Sequence, residues 1–573
     1  MGSLLAILAL ALGLRVVAWQ RAAMMFNDGP NFLWQAERLA QGDWIAALSH
    51  PYHPLYGALT ALVRPLFGSV ESAALAVSIA SGLLLCVAAW GVARALLPGE
   101  RAAGPAAALV AAVATRSLDV TADIQADGLF AALALCAVWA TLSAANRSGG
   151  VPAPAGSAHE RPDPARATLA LLATAGVATG LAYLTRAEGL FVALAPGLWL
   201  LAGGPAPALR ARLKGVAMFA LALLLTLSPY AVALHEITGQ WCLSLKPSMS
   251  NVGLGLSGPM WQAPADSPLG WPLVPSEEDP LERPGHAAPA IPPRQGAMGP
   301  TLNLPLWMGL VATASAAPAA LPSAPAPSAA LAPNARGLKP QAPPEQPPPA
   351  LRRMSVMAAL NGAARRLVVA LRGETIVLLL PGLALLLRER RRATMAGLLM
   401  LALWVLVCAV QLQRSHFLTN RHMLLALALV LPAAGIGLLR MWRGKLPLRL
   451  LALLALIVAA GAGTRAQRTH HLPRIEALRW VTEHTSPEQY VVSHRQRDGW
   501  YAQRPAITAQ LPVYDQILRS RLQEFDTPYL VLSVARLSAT EPHWLSERLV
   551  HEVIRFGAGD ETVAVYEPRF GPR

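Results

Sequence analysis

The chain has 573 residues, of which 54% are hydrophobic and only 14% are charged, and its formal net charge is +15. Soluble domains carry about a quarter charged residues, so this composition indicates a membrane protein. The basic residues stand in short clusters between apolar runs, without a continuous basic face, an aromatic stacking motif or zinc spacing, which argues against a nucleic-acid binder. The four cysteines form no Cys-x-x-Cys pair, and neither a disulfide framework nor a metal site is predicted.

Apolar runs long enough to cross about 30 Å of hydrocarbon recur along the chain. The first lacks a basic flank and a cleavage site, so we predict a retained span and not a cleaved signal. About eleven transmembrane helices are predicted, near residues 3–23, 71–97, 102–118, 127–146, 167–185, 187–204, 214–235, 373–388, 393–411, 422–440 and 447–464.

Basic residues alternate between the connections that join these spans. If the N-terminus is cytoplasmic, the inner connections hold most of them, as the positive-inside rule requires. These residues are Arg94, Arg101, Arg147, Arg161, Arg166, Arg210, Arg212, Lys214, Arg388, Arg390, Arg391, Arg392, Arg440, Arg443, Lys445 and Arg449. We therefore predict a multi-pass protein of the inner (cell) membrane whose C-terminal region lies on the outer, periplasmic side.

Long connections then fall on the outer side. Two amphipathic stretches, near residues 30–41 and 51–67, each open with a proline and predict helices along the membrane surface. Residues 351–371 have helical periodicity with four arginines on a polar face, which predicts an interfacial helix. The stretch near 262–350 is rich in Pro and Ala with little periodicity, so we predict a disordered or loosely extended insertion.

The tail is long enough for a small soluble domain, with a helix over Leu472–His484 and strands at 490–493, 529–534 and 562–566. The predicted fold is therefore mainly α: a polytopic membrane protein with outer surface helices and a small C-terminal α/β domain. The predicted regions are 1–235 (transmembrane, with the outer loops that hold the candidate site), 236–372 (outer loop with the Pro/Ala-rich insertion and interfacial helix), 373–466 (C-terminal transmembrane helices) and 467–573 (outer α/β domain).

Two outer segments near the N-terminus carry candidate site residues. Asp28 directly follows the first span, where a carboxylate is costly and tends to be functional, although it could also cap the surface helix. Residues 49–56, Ser-His-Pro-Tyr-His-Pro-Leu-Tyr, bring two histidines and two tyrosines to the same side. His53 and Tyr56 could hydrogen-bond a phosphate or a sugar, although tyrosine is also an ordinary interfacial anchor.

Later outer turns add charged residues. Asp127 opens an apolar run and is either an acid, base or ligand or a helix cap. Arg186 follows a later span, where it could also form a surface ion pair with Glu188. Arg421 stands between two late spans, and its guanidinium group suits a phosphate because it donates two parallel hydrogen bonds. Other polar residues near it are Arg414, His416, Asn420 and His422.

A site that combined these groups would have a base for a hydroxyl and cations for a phosphate. The main alternative is a polytopic lipid or solute transporter or flippase, which predicts charged groups near the bilayer midplane and internally repeated halves. Here the acidic groups stand at span ends and no repeat is visible. A structural scaffold would require only the spans and the tail, and would leave the outer polar cluster unexplained.

Four stretches, in this order and spacing, resemble the GT-C superfamily, and within it the protein O-mannosyltransferase and lipid A aminoarabinose transferase group. They are Leu-Gly-Leu-Arg at 12–15 leading to Asp28; His-Pro-Leu-Tyr at 53–56, similar to a Pro-Pro-Leu-Tyr element; Leu-Thr-Arg-Ala-Glu-Gly at 184–189, similar to a Thr-Arg/Lys-Pro-Glu-Gly turn; and Asn-Arg-His-Met-Leu-Leu at 420–425, similar to an Arg-Tyr-hydrophobic entry to a late span.

The resemblance implies an inverting, metal-independent glycosyltransferase that uses no cofactor. It would move a sugar from a polyprenyl-phosphate carrier among the membrane lipids to a lipid, glycan or protein hydroxyl on the outer face. Asp28 takes the place of the catalytic carboxylate and Asp127 that of a second acidic residue, while Arg421, with Arg186 or His53, would face the carrier phosphate. Asp28-Gly29 replaces an Asp-Glu pair and the lysine before 53–56 is absent, which argues against protein mannosylation as the specific reaction.

Overall fold

The computed structural model describes residues 2–148, 164–194, 196–197, 209–245, 355–389, 392–415, 420–465, 471–486, 489, 491–493, 497–504, 506–508, 529–534, 550–559 and 562–568. All of them belong to one compact unit. The predicted Pro/Ala-rich insertion and the first four residues of the predicted interfacial helix lie outside the described residues.

Helices make up most of the described chain, which confirms the predicted, mainly α fold class. In chain order they are α1 Gly2–Gln20, α2 Gly29–Ala40, α3 Trp44–Leu48, α4 Leu55–Phe67, α5 Val70–Leu96, α6 Ala103–Val113, α7 Thr115–Thr121, α8 Asp127–Ser148, α9 Pro164–Thr185, α10 Gly189–Val192, α11 Leu209–Thr238, α12 Val356–Arg388, α13 Arg392–Ser415, α14 Leu424–Trp442, α15 Leu446–Gly463, α16 Leu472–His484 and α17 Arg497–Ala502.

Within the described part of the chain, eight helices are long and apolar enough to cross a membrane, namely α1, α5, α8, α9, α11, α12, α14 and α15. They coincide with eight of the eleven predicted spans, so the protein is a multi-pass membrane protein. The other three predictions, near 102–118, 187–204 and 393–411, begin at the short apolar helix α6, at the four-residue helix α10 and at α13, and residues 195 and 198–204 of the second lie outside the described residues. The predicted span near 102–118 was too long, because Ala114 has a non-helical backbone conformation that separates α6 from a second short helix, α7.

Contacts between connections define two opposite ends of the helix bundle. At one end Asp127, the first residue of α8, accepts a hydrogen bond from Arg186, which follows α9. At the other end Arg443, after α14, pairs with Glu100, which lies between α5 and α6, through bonds of 2.5 and 3.0 Å. We call the end with Asp127 the site end.

Glycines allow two helices at the centre of the bundle to pack with their backbones in contact. A Cβ added at Gly382 of α12 would overlap the carbonyl oxygen of Ala433 in α14. A Cβ added at Gly437 of α14 would likewise overlap the carbonyl oxygen of Leu378 in α12. Close approach through small residues is the usual way in which membrane helices associate, because lipid provides no hydrophobic drive between them.

Gly437→Leu is therefore expected to destabilise the fold by at least about 1–3 kcal/mol, the usual cost of overpacking, because the new side chain must displace a neighbouring backbone. Gly13→Leu makes the same chemical change on α1 without a clash, because nothing lies within 4 Å of a Cβ added at Gly13. Thermal unfolding of both variants in detergent checks this expectation. Equal midpoints for the two variants would contradict it.

The C-terminal residues form the predicted α/β unit. Its sheet has the strand order β2-β1-β3-β5-β4, parallel among the first three strands and antiparallel from β3 through β5 to β4. The strands are β1 Val491–Ser493, β2 Ala506–Thr508, β3 Tyr529–Ser533, β4 Val550–Phe556 and β5 Val563–Pro568. Helix α16 and strands β1, β3 and β5 match the predicted elements. Strands β2 and β4 were missed, because β2 has three residues and an irregularity between Glu552 and Ile554 interrupts the alternation of β4.

Helix α12 breaks where the sequence separates an interfacial helix from a span. Arg372 has a φ of 56° and a ψ of 160°, a conformation that costs a non-glycine residue about 1–3 kcal/mol. The neighbouring carboxylate of Glu374 forms an ion pair with the Arg372 Nε atom (2.9 Å) and accepts a hydrogen bond from the Thr115 hydroxyl (2.8 Å). These contacts hold the break against the start of α7.

Candidate active site

Asp28 is the last residue before the surface helix α2. Its carbonyl oxygen accepts a hydrogen bond from the N–H of Asn31 at 3.2 Å, but its side chain makes no capping bond to the helix. The carboxylate is half-buried. The alternative role of Asp28 as a side-chain cap is therefore not the one it has in this structure.

The segment that carries Asp28 is held from two sides. The buried Asp123 carboxylate accepts the N–H of Phe26 at 3.2 Å, and its other oxygen accepts the side-chain amide of Gln125 at 3.0 Å. On the other side, the hydroxyl of Tyr501 accepts the N–H of Met25 at 2.8 Å. The backbone before Asp28 thus has little freedom to move.

The arginine inside the first span contributes to the same arrangement. Arg15 is fully buried and donates from Nε to the Thr121 hydroxyl at 2.8 Å, from Nη2 to Ser117 at 3.3 Å and from Nη1 to the Ala11 carbonyl at 3.0 Å. Thr121 and Ser117 belong to α7, and α7 leads directly to Asp123. Arg15 therefore anchors the helix that presents Asp123 to the Asp28 segment.

A buried ion-pair cluster lies at the start of α8. Arg186 donates from Nη1 to Asp127 at 2.5 Å, and from Nε and Nη2 to the two oxygens of Glu188 at 3.3 and 3.1 Å. The side chains of Asp127 and Glu188 are 6% and 9% exposed. The pair that the sequence suggested as a surface ion pair is thus a buried three-residue network that joins α8 to the turn after α9.

The Asp28 carboxylate acts electrostatically on this network. Burial alone would lower the pKa of Arg186, but the carboxylates of Asp127, Glu188 and Asp28 raise it above its ordinary value. The guanidinium group is therefore charged at every accessible pH. Three carboxylates around one guanidinium give the cluster a formal charge of −2, so an incoming phosphate requires a further cation.

A small cleft opens beside the network, and the space between its lining atoms, open solvent included, is about 280 Å³. One wall is polar and contains the three network residues, while the opposite wall is largely apolar. Its lining residues are Asp127, Phe130, Arg186, Glu188, Trp404, Val407, Cys408, Gln411 and His422. A cleft with charged groups on one side and aromatic and aliphatic groups on the other suits a ligand with a polar head and an apolar chain.

His50 also lies near Asp28. Its Nδ1 atom accepts the N–H of Tyr52 at 3.1 Å, so the ring proton resides on Nε2, which is buried and has no hydrogen-bond partner among the described residues. The ring packs against Trp34 and Tyr52 at centroid distances of 5.6 and 5.0 Å. Burial lowers the pKa of His50 to about 3, against the opposing effect of the Asp28 carboxylate. His50 is therefore a neutral N–H donor near Asp28.

This pKa predicts a pH-dependent contribution to stability. In the unfolded chain His50 takes up a proton as the pH falls through its ordinary pKa of 6.5, whereas the folded protein resists until about pH 3. The free energy of unfolding therefore decreases as the pH falls below 6.5. At 1.36 kcal/mol per pH unit, the loss is about 2 kcal/mol at pH 5. His50→Gln should lose less stability between pH 7.5 and pH 5 than the wild type. His551→Gln, at an exposed position on β4, is the control; equal acid sensitivity of all three proteins would contradict the expectation.

The predicted site residues divide into two groups in the structure. Asp127 and Arg186 form an ion pair at the site end, and the Asp28 carboxylate acts electrostatically on Arg186, while the site roles of all three stay predictions. His53 lies instead among helices α9 and α11, where its Nε2 atom contacts the Ser244 hydroxyl at 3.0 Å and its ring packs against Tyr183 at 4.8 Å.

Tyr56 and Arg421 have different surroundings. The Tyr56 hydroxyl donates to the Ala74 carbonyl at 2.8 Å and contacts the Ser78 hydroxyl at 2.7 Å, which ties the surface helix α4 to α5. Arg421 belongs to a 3₁₀ turn, Asn420–Met423, whose His422 lines the cleft. The Arg421 side chain lies outside the described part of the chain. The site roles of Tyr56, His53 and Arg421 stay predictions.

The structure adds residues to the site that the sequence did not single out as site candidates. His50 was one of two histidines in the 49–56 stretch, and the sequence offered no reason to prefer it over His53. Glu188 was visible as the partner of Arg186, but its burial was not. Tyr501 carried no signal at all, because nothing in the tail indicates that it contacts Met25. Among the described side chains, no group of three or more His, Cys, Asp or Glu could hold a metal ion.

Residues 49–150 match the family model for dolichyl-phosphate-mannose-protein mannosyltransferase. This match covers the surface helix α4 and helices α5 to α8, including Asp127, whereas Asp28 lies before it. A comparison with curated proteins gave no match.

Solved structures match over the whole chain. The structure is similar to ArnT from Cupriavidus metallidurans in the apo state, with a TM-score of 0.52, 15% identity and coverage of 100% of this chain and 99% of that one. The same protein bound to undecaprenyl phosphate also matches, with a TM-score of 0.52, 14% identity and coverage of 100% and 99%. The apo oligosaccharyltransferase from Archaeoglobus fulgidus matches with a TM-score of 0.53 and 13% identity, over 98% of this chain and 74% of that one.

At these identities the structural matches establish the fold. The predicted resemblance to the GT-C superfamily is confirmed, because the family model and the solved structures point to the same group. Together they support the prediction of a GT-C-type glycosyltransferase that acts on lipid-linked sugars.

Proposed function

We propose that this protein transfers a sugar from a polyprenyl-phosphate carrier to a hydroxyl acceptor, with inversion at the anomeric carbon. The observation that carries the proposal is the buried network of Asp127, Arg186 and Glu188 in the lining of one cleft, with the Asp28 carboxylate acting electrostatically on Arg186. Buried charges are costly in a membrane protein, so their presence tends to indicate a function. A scaffold would not need this arrangement.

Asp28 acts as the general base in this proposal. The acceptor oxygen attacks the anomeric carbon while Asp28 takes its proton. The bond from that carbon to the phosphate oxygen breaks, and polyprenyl phosphate leaves with the bonding electrons. Proton transfer to a positioned base contributes about 10²–10⁴-fold. The Nε2–H of His50, near Asp28, is available to donate a hydrogen bond to a substrate hydroxyl.

Arg186 and a second cation would hold the departing phosphate. Three of the five N–H groups of Arg186 donate to Asp127 and Glu188, which leaves two for phosphate oxygens. Because the cluster is negative overall, we propose that Arg421, next to His422 on the cleft wall, supplies the additional positive charge. Stabilisation of a leaving phosphate by preorganised cations is commonly the largest catalytic contribution.

The apolar wall of the cleft would receive the first isoprenoid units of the carrier. Phe130 of α8 and the α13 residues Trp404 and Val407 form this wall. The carrier could then enter from the side while its tail remained in the bilayer. The similar ArnT structure with bound undecaprenyl phosphate supports a carrier of this kind.

We further propose that the protein lies in the inner (cell) membrane with the site end and the C-terminal α/β unit on the outer side. The alternation of basic clusters supports this orientation. The acceptor is a lipid, a glycan or a protein. The acidic groups lie at helix ends and not at the bilayer midplane, which favours the transferase over the transporter alternative.

Transfer can be tested with the full chain in lipid nanodiscs. Undecaprenyl phosphates carrying a labelled pentose, hexose or aminosugar are offered with an envelope extract from a strain that lacks the protein. The expected result is label in an acceptor and an equal amount of free undecaprenyl phosphate. Movement of intact labelled lipid across vesicles, without cleavage of any donor, would support the transporter instead. Mass spectrometry of glycans and lipids from the deletion strain would identify the acceptor.

A further inference from the structure

The short segment between α1 and Asp28 is held by the C-terminal α/β unit. Both backbone polar groups of Met25 bond to α17: its N–H donates to the Tyr501 hydroxyl at 2.8 Å, and its carbonyl accepts from Nη1 of Arg497 at 2.8 Å. The Met24 side chain is 1% exposed and packs into the core of the α/β unit with residues of α16 and β1, such as Leu478 and Val491. Residues 24–25 are therefore part of that unit in packing as well as in hydrogen bonding.

Helix α17 is itself fixed on two sides. A buried ion pair between Arg474 of α16 and Asp498, which also accepts from the Ser493 hydroxyl, ties α17 to the sheet. On its other side the Trp500 indole N–H donates to the Glu71 carboxylate, at the start of α5, at 2.7 Å. Helix α17 therefore connects the C-terminal sheet to the transmembrane bundle next to the Asp28 segment.

Met25 transmits its position to Asp28 over a very short distance. Only Phe26 and Asn27 separate the two residues, and the Phe26 N–H is fixed by Asp123. The Met25 side chain also packs against the first turn of α2, where a Cβ added at Gly29 would lie 2.7 Å from the Met25 sulfur. A shift of the Met25 backbone must therefore move Asp28 or the start of α2.

We infer that Tyr501 and Arg497 are positioning residues, through which the C-terminal unit holds the Asp28 carboxylate at the angle and distance that transfer requires. The inference rests on the proposed function of Asp28. A misplacement of about 1 Å, even from a change far from the reacting atoms, can lower a rate about 10²-fold. Burial also raises the pKa of Tyr501 to about 12, so its hydroxyl stays neutral and accepts the Met25 N–H throughout the working pH range.

The test compares Tyr501→Phe with Tyr529→Phe in the full chain in nanodiscs. Each variant removes one phenolic oxygen from the same α/β unit, but Tyr529 lies on β3 and its ring packs against Trp480, away from Met25. We expect Tyr501→Phe to lower kcat about 10- to 100-fold with an unchanged KM for the undecaprenyl-phosphate donor. Tyr529→Phe should match the wild type in both.

Amide hydrogen exchange provides a readout that does not need activity. Loss of the Tyr501 hydroxyl should speed exchange in peptides that contain Met25, while peptides from β1 and β3 keep their protection. Arg497→Lys retains a donor for the Met25 carbonyl and should keep more activity than Arg497→Met. If Arg497→Met fails to fold, the Tyr501→Phe comparison still decides.

Three results would overturn the inference. One is faster exchange at Met25 in Tyr501→Phe with a kcat equal to that of Tyr529→Phe, which would leave the proposed function intact. Another is a change in KM alone, which would indicate a binding role. The third is a wild-type protein that transfers sugar from none of the donors. This result would remove the proposed function itself. Hydrogen exchange would then still show whether the contact between Tyr501 and Met25 orders residues 24–25.

Discussion

Asp28→Asn is expected to lower kcat by about 10²–10⁴-fold with little change in the affinity for undecaprenyl phosphate. Asparagine has nearly the same shape as aspartate but cannot accept the proton of the attacking hydroxyl. The backbone of the segment is held by Asp123, Tyr501 and Arg497, which bond to the main chain of Met25 and Phe26. The variant should therefore insert and fold normally. Turnover with the identified donor, together with binding of undecaprenyl phosphate, measures the two effects separately.

Asp43→Asn is the matched control. Asp43 caps the neighbouring surface helix α3, where its side chain accepts the N–H of Ala46 at 3.2 Å, and asparagine caps a helix about as well. It lies on the same outer segment but outside the cleft. Normal turnover by Asp28→Asn, or an equal loss in Asp43→Asn, would remove Asp28 from the mechanism.

Arg186→Gln is expected to lower both stability and activity. Among the described residues, Arg186 is the only cation that bonds to both Asp127 and Glu188. Both carboxylates would stay buried and lose the Arg186 charge, and loss of one partner from a buried pair costs about 3–5 kcal/mol. The loss of a cation next to the departing phosphate should in addition lower kcat by about 10²–10³-fold. Thermal unfolding and turnover are the two measurements.

A triple variant separates these two effects. Arg186→Gln combined with Asp127→Asn and Glu188→Gln removes the uncompensated charges while keeping side chains of similar size and hydrogen-bonding capacity. We expect it to recover much of the lost stability but not the activity. If activity returned together with stability, Arg186 would only hold the fold, and the phosphate would have to be bound by other residues.

The sequence by itself determined eight of the membrane-spanning helices and the class of the fold. Hydrophobic length and the positions of arginines act locally, so α1, α5 and α14 could be placed without knowledge of their neighbours. The same holds for α16, whose bounds match the predicted helix, and for the break at Arg372. The spacing of Asp28, residues 53–56, Arg186 and Arg421 was enough to indicate the superfamily, because motif order survives where overall identity does not.

The tertiary structure alone decided which polar groups meet. Asp28 and Arg186 are 158 positions apart in the chain, and Met25 and Tyr501 are 476 apart, so their proximity depends on how the helices pack. Packing likewise put His50 near Asp28 and His53 among α9 and α11, although the two histidines have similar local sequence. Charge and hydrophobicity specify which surface a segment occupies. The partner that a side chain finds on that surface is specified by the close approach of backbones, as at Gly382 and Gly437, which no local pattern encodes.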